Sequence, residues 1–234
     1  MANFGSDADA RRRVVIAAGR RERADALALV EAGGAGCPVC ASASRAAGRA
    51  IEHFVYEQVN DPAIREQLRY SYGLCAEHAA LLARERGAPL AVAIVYRDIT
   101  RRAATILERP RARLAPTARC FVCEVSASRE RDEMKLLRRQ PDILEAARDR
   151  ICAAHPRPAA TRALPRGEPV RGLLPLGSLA EVIVREPAIR REQADRYRRL
   201  AGELAQIERH HDYRTRDEPL DAPDAWRIAL TICA

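Results

Sequence analysis

The chain has 234 residues, a formal net charge of +8 and aromatic side chains at only 4% of positions. That length allows one or two domains with an aliphatic core, and no apolar run approaches the roughly 20 residues that cross a bilayer, which excludes a membrane-spanning helix. Lys135 is the single lysine among 40 basic residues, so the arginine excess reads as a compositional bias and is weak ground for nucleic-acid binding.

In chain order, a helix is expected over 8–31, where Val14, Val15, Ala18, Leu27 and Val30 fall near one stripe. The glycine-rich residues 32–36 end it and lead into Cys37-Pro38-Val39-Cys40, expected as a tight turn. A second helix is expected over 41–59, with Ile51, Phe54, Val55 and Val59 on one face. Asp61-Pro62 starts a third, with the aspartate as cap and the proline at the first helical position. Ile64, Leu68 and Tyr72 follow at helical spacing, and Gly73 is placed to stop that helix. Cys75 and His78 then open a fourth helix, and Pro89 a fifth that reaches about Glu108.

Residues 109–118, rich in proline and arginine, read as a linker. Beyond them a charged helix is expected over 124–139, and a Pro141-started helix holds Ile143, Leu144, Ala147 and Ile151. Residues 156–172 read as a loop, and 173–184 are ambiguous, rich in leucine but broken by Pro175 and Gly177. A long helix should run from about Pro187 to His211, and Asp224-Ala225-Trp226 opens a last one to Ala234, with Trp226 as its anchor.

Two C-x2-C pairs, Cys37/Cys40 and Cys120/Cys123, are each followed by a C-x2-H pair, Cys75/His78 and Cys152/His155. Three thiolates and one imidazole are the donor set of a closed tetrahedral zinc site, so two zinc ions are expected, both structural. An iron–sulfur cluster fits this donor set less well. Ligation by three thiolates at each site would bring the charge of +8 to about +6. The intervals between the pairs, 34 and 28 residues, each contain a helix followed by a proline-started helix, which indicates an internal duplication. The repeated order favours Cys37, Cys40, Cys75 and His78 as one site and Cys120, Cys123, Cys152 and His155 as the other. A crossed arrangement, with four cysteines in one site and two cysteines with two histidines in the other, satisfies the same count. Helical surroundings speak against a thioredoxin-like use of Cys37 and Cys40, which requires a preceding strand.

Other polar residues have simpler explanations. Helix capping accounts for Asp61, a solvated helix face for Glu57 and His53, and exposed positions for His210 and His211, which as neighbours on a helix point about 100° apart. Cys233 reads as a small core residue.

The motifs Cys37-Pro38-Val39-Cys40, Tyr56-Glu57-Gln58-Val59-Asn60-Asp61-Pro62, Arg65 and Gly73-Leu74-Cys75-Ala76-Glu77-His78 resemble those of an uncharacterised bacterial and archaeal family. That family carries repeated C-P-x-C and G-[FL]-C-x-x-H motifs and has no assigned activity. Asp212-Tyr213-Arg214 and Asp224-Ala225-Trp226-Arg227 look like its C-terminal motif. The resemblance implies metal ligation and the fold, and no reaction. The second unit departs from the pattern, with Phe121 in place of the proline and Ile151 where the first unit has Gly73-Leu74.

An all-α fold is therefore expected: a helical array built from two duplicated Cys3His units plus N- and C-terminal helices. The expected segments are 1–34, an N-terminal helix; 35–109 and 119–156, the two Cys/His units; 157–186, a linker; and 187–234, C-terminal helices on the core. The first 13 residues are polar and then basic, with no hydrophobic signal region, so a reducing cytoplasm is the expected compartment. The expected function is a non-enzymatic, zinc-stabilised binding or regulatory module with an unidentified macromolecular partner. Two alternatives stand beside it. One is an enzyme whose cleft gathers Glu57, Asp61 and Arg65 with Tyr213 and Arg214. The other is a nucleic-acid-binding regulator that uses the basic stretch 109–119.

Overall fold

The computed structural model describes residues 5–109, 114–153, 155, 166, 169–182 and 187–233, without the side chains of 5–18 and 180–182. Among the described residues ten α-helices follow one another: α1 (Gly5–Ala32), α2 (Pro38–His53), α3 (Pro62–Ser71), α4 (Ala76–Leu82), α5 (Ala88–Glu108), α6 (Phe121–Arg138), α7 (Pro141–Ala146), α8 (Leu176–Val182), α9 (Pro187–His210) and α10 (Ala225–Cys233). The fold of these residues is all-α, as expected, and no helix among them is long and apolar enough to cross a membrane. Most of the expected loop 156–172, and 110–113 of the expected linker, lie outside the described residues.

Proline placement explains several helix starts. Asp61 accepts hydrogen bonds from the backbone N–H groups of Ala63 and Ile64 at 2.8 and 3.0 Å, and Pro62 begins α3 behind it. That helix stops one residue earlier than expected. Tyr72, not Gly73, is the first left-handed residue (φ 56), and Gly73 follows at φ 100. Gly73 has a second reason to be glycine: a Cβ there would lie 2.7 Å from the Tyr96 hydroxyl. The expected second helix is regular only to His53, after which Phe54–Gln58 form a π-helical turn. The helix begun by Pro141 ends at Ala146 and tightens into a 3-10 turn, Arg148–Arg150.

Two compact units result, each built from two separate stretches of the chain. The first comprises Met1–Ala47 and Val125–Ala159, the second Gly48–Glu124 and Ala160–Ala234. Within the first, Ala26 and Leu29 of α1, Val39 of α2, Met134 and Leu137 of α6 and Ile143 of α7 form a buried aliphatic cluster. Cys37 and Ile151 pack against it, which ties that core to two segments that carry ligands. Within the second, α5 and α9 make the most extensive helix pair, with α10 on both and α3 on α5. Tyr96 and Ile99 of α5 and Tyr197 and Leu204 of α9 are fully buried there. Trp226 and Cys233 of α10 are buried as expected.

Candidate metal centres

Eight side chains gather into two groups that could each hold a metal ion, with the donor atoms of each group all within 4.8 Å of one another. The first group, site A, is Cys37, Cys40, Cys152 and His155; the second, site B, is Cys75, His78, Cys120 and Cys123. Each is a Cys3His set, as expected, but the pairing is not the local one. Each C-x2-C pair meets the C-x2-H pair of the other repeat. The alternative with all four paired cysteines in one site and both histidines in the other is not formed either. In sequence, site A brackets site B, and each site lies within one compact unit.

Three of the four ligand pairs are built by one device. The carbonyls of Cys37, Cys75 and Cys120 accept the first helical hydrogen bonds, from Ala41 at 3.0 Å, Ala79 at 2.8 Å and Glu124 at 3.2 Å. Each of these cysteines therefore caps a helix (α2, α4 or α6), and its partner at i+3 lies in the first turn. Residues three apart share a helical face, so both donors point at one ion. The free N–H groups and the positive end of the helix dipole favour thiolate there. The tight turn expected at Cys37–Cys40 is instead the opening of α2, with Pro38 at its first position. Gly33 makes the approach possible, because a Cβ there would lie 2.6 Å from Pro38 Cα. The fourth pair, Cys152 and His155, follows the 3-10 turn and lies outside any helix.

The distances fit a tetrahedron. With metal–sulfur bonds of about 2.3 Å and metal–nitrogen bonds of about 2.0 Å, tetrahedral edges are about 3.8 Å between sulfurs and about 3.5 Å between sulfur and nitrogen. In site A, His155 Nε2 is 3.3 Å from both Cys37 Sγ and Cys40 Sγ, and Cys40 Sγ is 3.8 Å from Cys152 Sγ. In site B, His78 Nδ1 is 3.1, 3.4 and 3.6 Å from the sulfurs of Cys75, Cys123 and Cys120, and Cys75 Sγ is 3.6 Å from Cys123 Sγ.

The sites differ in three ways. Site A uses Nε2 of its histidine, and site B uses Nδ1. Behind His155, the buried Glu130 carboxylate lies 3.2 Å from Nδ1, within ion-pair distance but outside hydrogen-bond geometry. Exposure differs as well: Cys120 and His78 of site B are 3% and 5% exposed, whereas Cys152 of site A is a surface residue.

The crowding of the donors shifts their protonation. Burial pushes the Cys37 thiol up, but hydrogen bonds from the backbone at Cys152 and Cys40 and from His155 outweigh it and bring the thiol down to about 6. In site B, hydrogen bonds from Cys120 and Cys123 drive the Cys75 thiol far down, and the same close contacts push Cys123 far up. Burial lowers the His78 imidazole, yet Cys120 and Cys75 beside it raise it to about 10.

The polar residues of the enzyme alternative are each engaged elsewhere. Glu57 is exposed and lies 3.3 Å from His53, Asp61 caps α3, and Arg65 pairs with Asp98. Tyr213 is 75% exposed, with Arg214 beside its ring. The exposed positions expected for His53, His210 and His211 are observed. Glu130 was not apparent in the sequence. It sits in a charged helix among other acidic residues, and only its burial beside His155 sets it apart. No family model, curated protein or solved structure matches the chain.

Proposed function

We propose that this chain is a zinc-binding helical protein with two structural Cys3His centres, and that it acts as a binding or regulatory module for a macromolecular partner. The observation that carries this reading is the geometry of the donors: two sets of three sulfurs and one nitrogen at the edge lengths of a tetrahedron. Four protein donors close the coordination sphere and leave no position for a substrate or an activated water, so the metal's role is to hold the fold. The compact donor sets favour a single ion over an iron–sulfur cluster, whose several iron atoms hold their thiolates farther apart. Thiolate-rich sites without disulfides suit a reducing compartment such as the cytoplasm. The motif residues that resemble the uncharacterised family are consistent with this reading, since they include ligands of both sites.

Elemental analysis of protein purified without added metal tests it. About two zinc ions per chain are expected, and exhaustive chelation should unfold both units, since structural zinc contributes about 10 kcal/mol or more of apparent folding energy per site. Fewer than one zinc per chain, with the helical content retained, refutes the proposal.

A further inference from the structure

The two centres have the same donors but not the same access to solvent. Cys120 and His78 of site B are buried and its Cys75 and Cys123 half-buried, while Cys152 at site A is fully on the surface. Its sulfur is 3.8 Å from Cys40 Sγ. Cys37, the other thiol of the first pair, packs against the aliphatic cluster of the first unit. Site A thus holds one thiolate that a small oxidant can reach, and a second within reach of it.

We infer that site A is a redox-sensitive zinc centre in which a hydroperoxide joins Cys152 to Cys40; this rests on the zinc reading above. The Cys152 thiolate attacks one peroxide oxygen. A sulfur–oxygen bond forms, the oxygen–oxygen bond breaks, and hydroxide leaves. The Cys40 thiolate then attacks the Cys152 sulfur, forming the disulfide and expelling a second hydroxide. Two protons from solvent convert both hydroxides to water. The two cysteines lose two electrons and the peroxide gains them. Cys37 and His155 remain as a two-donor remnant that no longer retains the ion. Site B, none of whose donors is fully exposed, keeps its zinc, so the chain passes from a two-zinc to a one-zinc form.

The test uses the full chain as purified. Hydrogen peroxide is added in small molar excess, released zinc is read with a chromogenic chelator, and disulfides are mapped by mass spectrometry of peptides. The expected result is release of one zinc in two, with a Cys40–Cys152 disulfide and with Cys75, Cys120 and Cys123 still reduced. Thiol reductant plus zinc should restore the second ion. Release of both ions together, retention of both, or a Cys37–Cys40 disulfide overturns the inference. If the untreated chain holds no zinc, the proposed function fails and the zinc-release half of this inference falls with it. The map then decides the disulfide step alone: a Cys40–Cys152 bond in the peroxide-treated chain upholds that step, and any other pairing overturns it.

Discussion

Glu130 shows what a single residue adds to a metal centre. A carboxylate 6% exposed at its side chain is costly unless it is paired, and the His155 ring, itself 1% exposed, lies 3.2 Å from it. The Glu130→Gln substitution keeps the shape and removes the charge. It should weaken zinc at site A by about 10- to 100-fold and leave site B unchanged, as competition with a chelator of known affinity will show. Cys37 gives a pH dependence whose sign can be worked out. Its thiol is lowered in the folded chain, so the folded state favours the thiolate. That contribution is fully present above the ordinary thiol range and is lost as pH falls through about 6. Urea unfolding of the folded chain should therefore show stability falling as the pH drops toward 6, and a Cys37→Ser variant should show less of that fall. The ligand types were readable in the sequence at this scale, because cysteine and histidine at i and i+3 announce themselves. Glu130 was not, because its meaning depends on a neighbour 25 residues away.

At the scale of elements, helix starts were legible and helix interiors less so. Asp61-Pro62 and Pro141 named their own starts, since proline's fixed angle and missing donor fit only the first turn. The opening of α2 at Pro38 was missed because a C-P-x-C run suggests a free turn as readily as a capped helix. The π-helical turn at Phe54–Gln58 left no mark, for its residues suit an ordinary helix equally well. The link from α3 to site B has a testable weak point. Leu74 donates its backbone N–H to the Tyr96 hydroxyl at 3.0 Å, in a fully buried place one residue ahead of Cys75. Replacing Tyr96 by Phe strands that donor and should cost about 1–3 kcal/mol in urea unfolding of the zinc-loaded chain. Gly73→Ala should cost at least as much, since it combines a strained φ with a clash against the same hydroxyl.

For the whole molecule, the all-α class and the two Cys3His groups followed from the sequence, but the pairing within them did not. Spacing cannot decide it. Closing a span of 112 residues, as between Cys40 and Cys152, instead of 34 costs only about 1 kcal/mol more in chain entropy. Against the free energy of a zinc site that difference is small, so tertiary packing makes the choice. In the first unit, Cys37 and Ile151 share one aliphatic cluster, which brings the first and last ligand pairs together. A double variant separates the alternatives. Cys37→Ser with Cys152→Ser damages one site if Cys37 and Cys152 share it, as observed, and both sites if the pairing is local. About one zinc per chain is expected, and elemental analysis near zero would restore the local pairing.

The bracketing of site B by site A also has a history within each molecule, written by the order of synthesis. As the chain leaves the ribosome, Cys37 and Cys40 meet Cys75 and His78 long before Cys152 and His155 exist. Those four residues form a complete Cys3His set, chemically equal to either final site. The nascent chain is thus the one state in which the local pairing has no competitor. Where that local set forms, reaching the native arrangement requires Cys120 and Cys123 to claim Cys75 and His78, releasing the first pair to wait for the last. If a metal ion is bound that early, thiolate exchange becomes a step in the maturation of this protein.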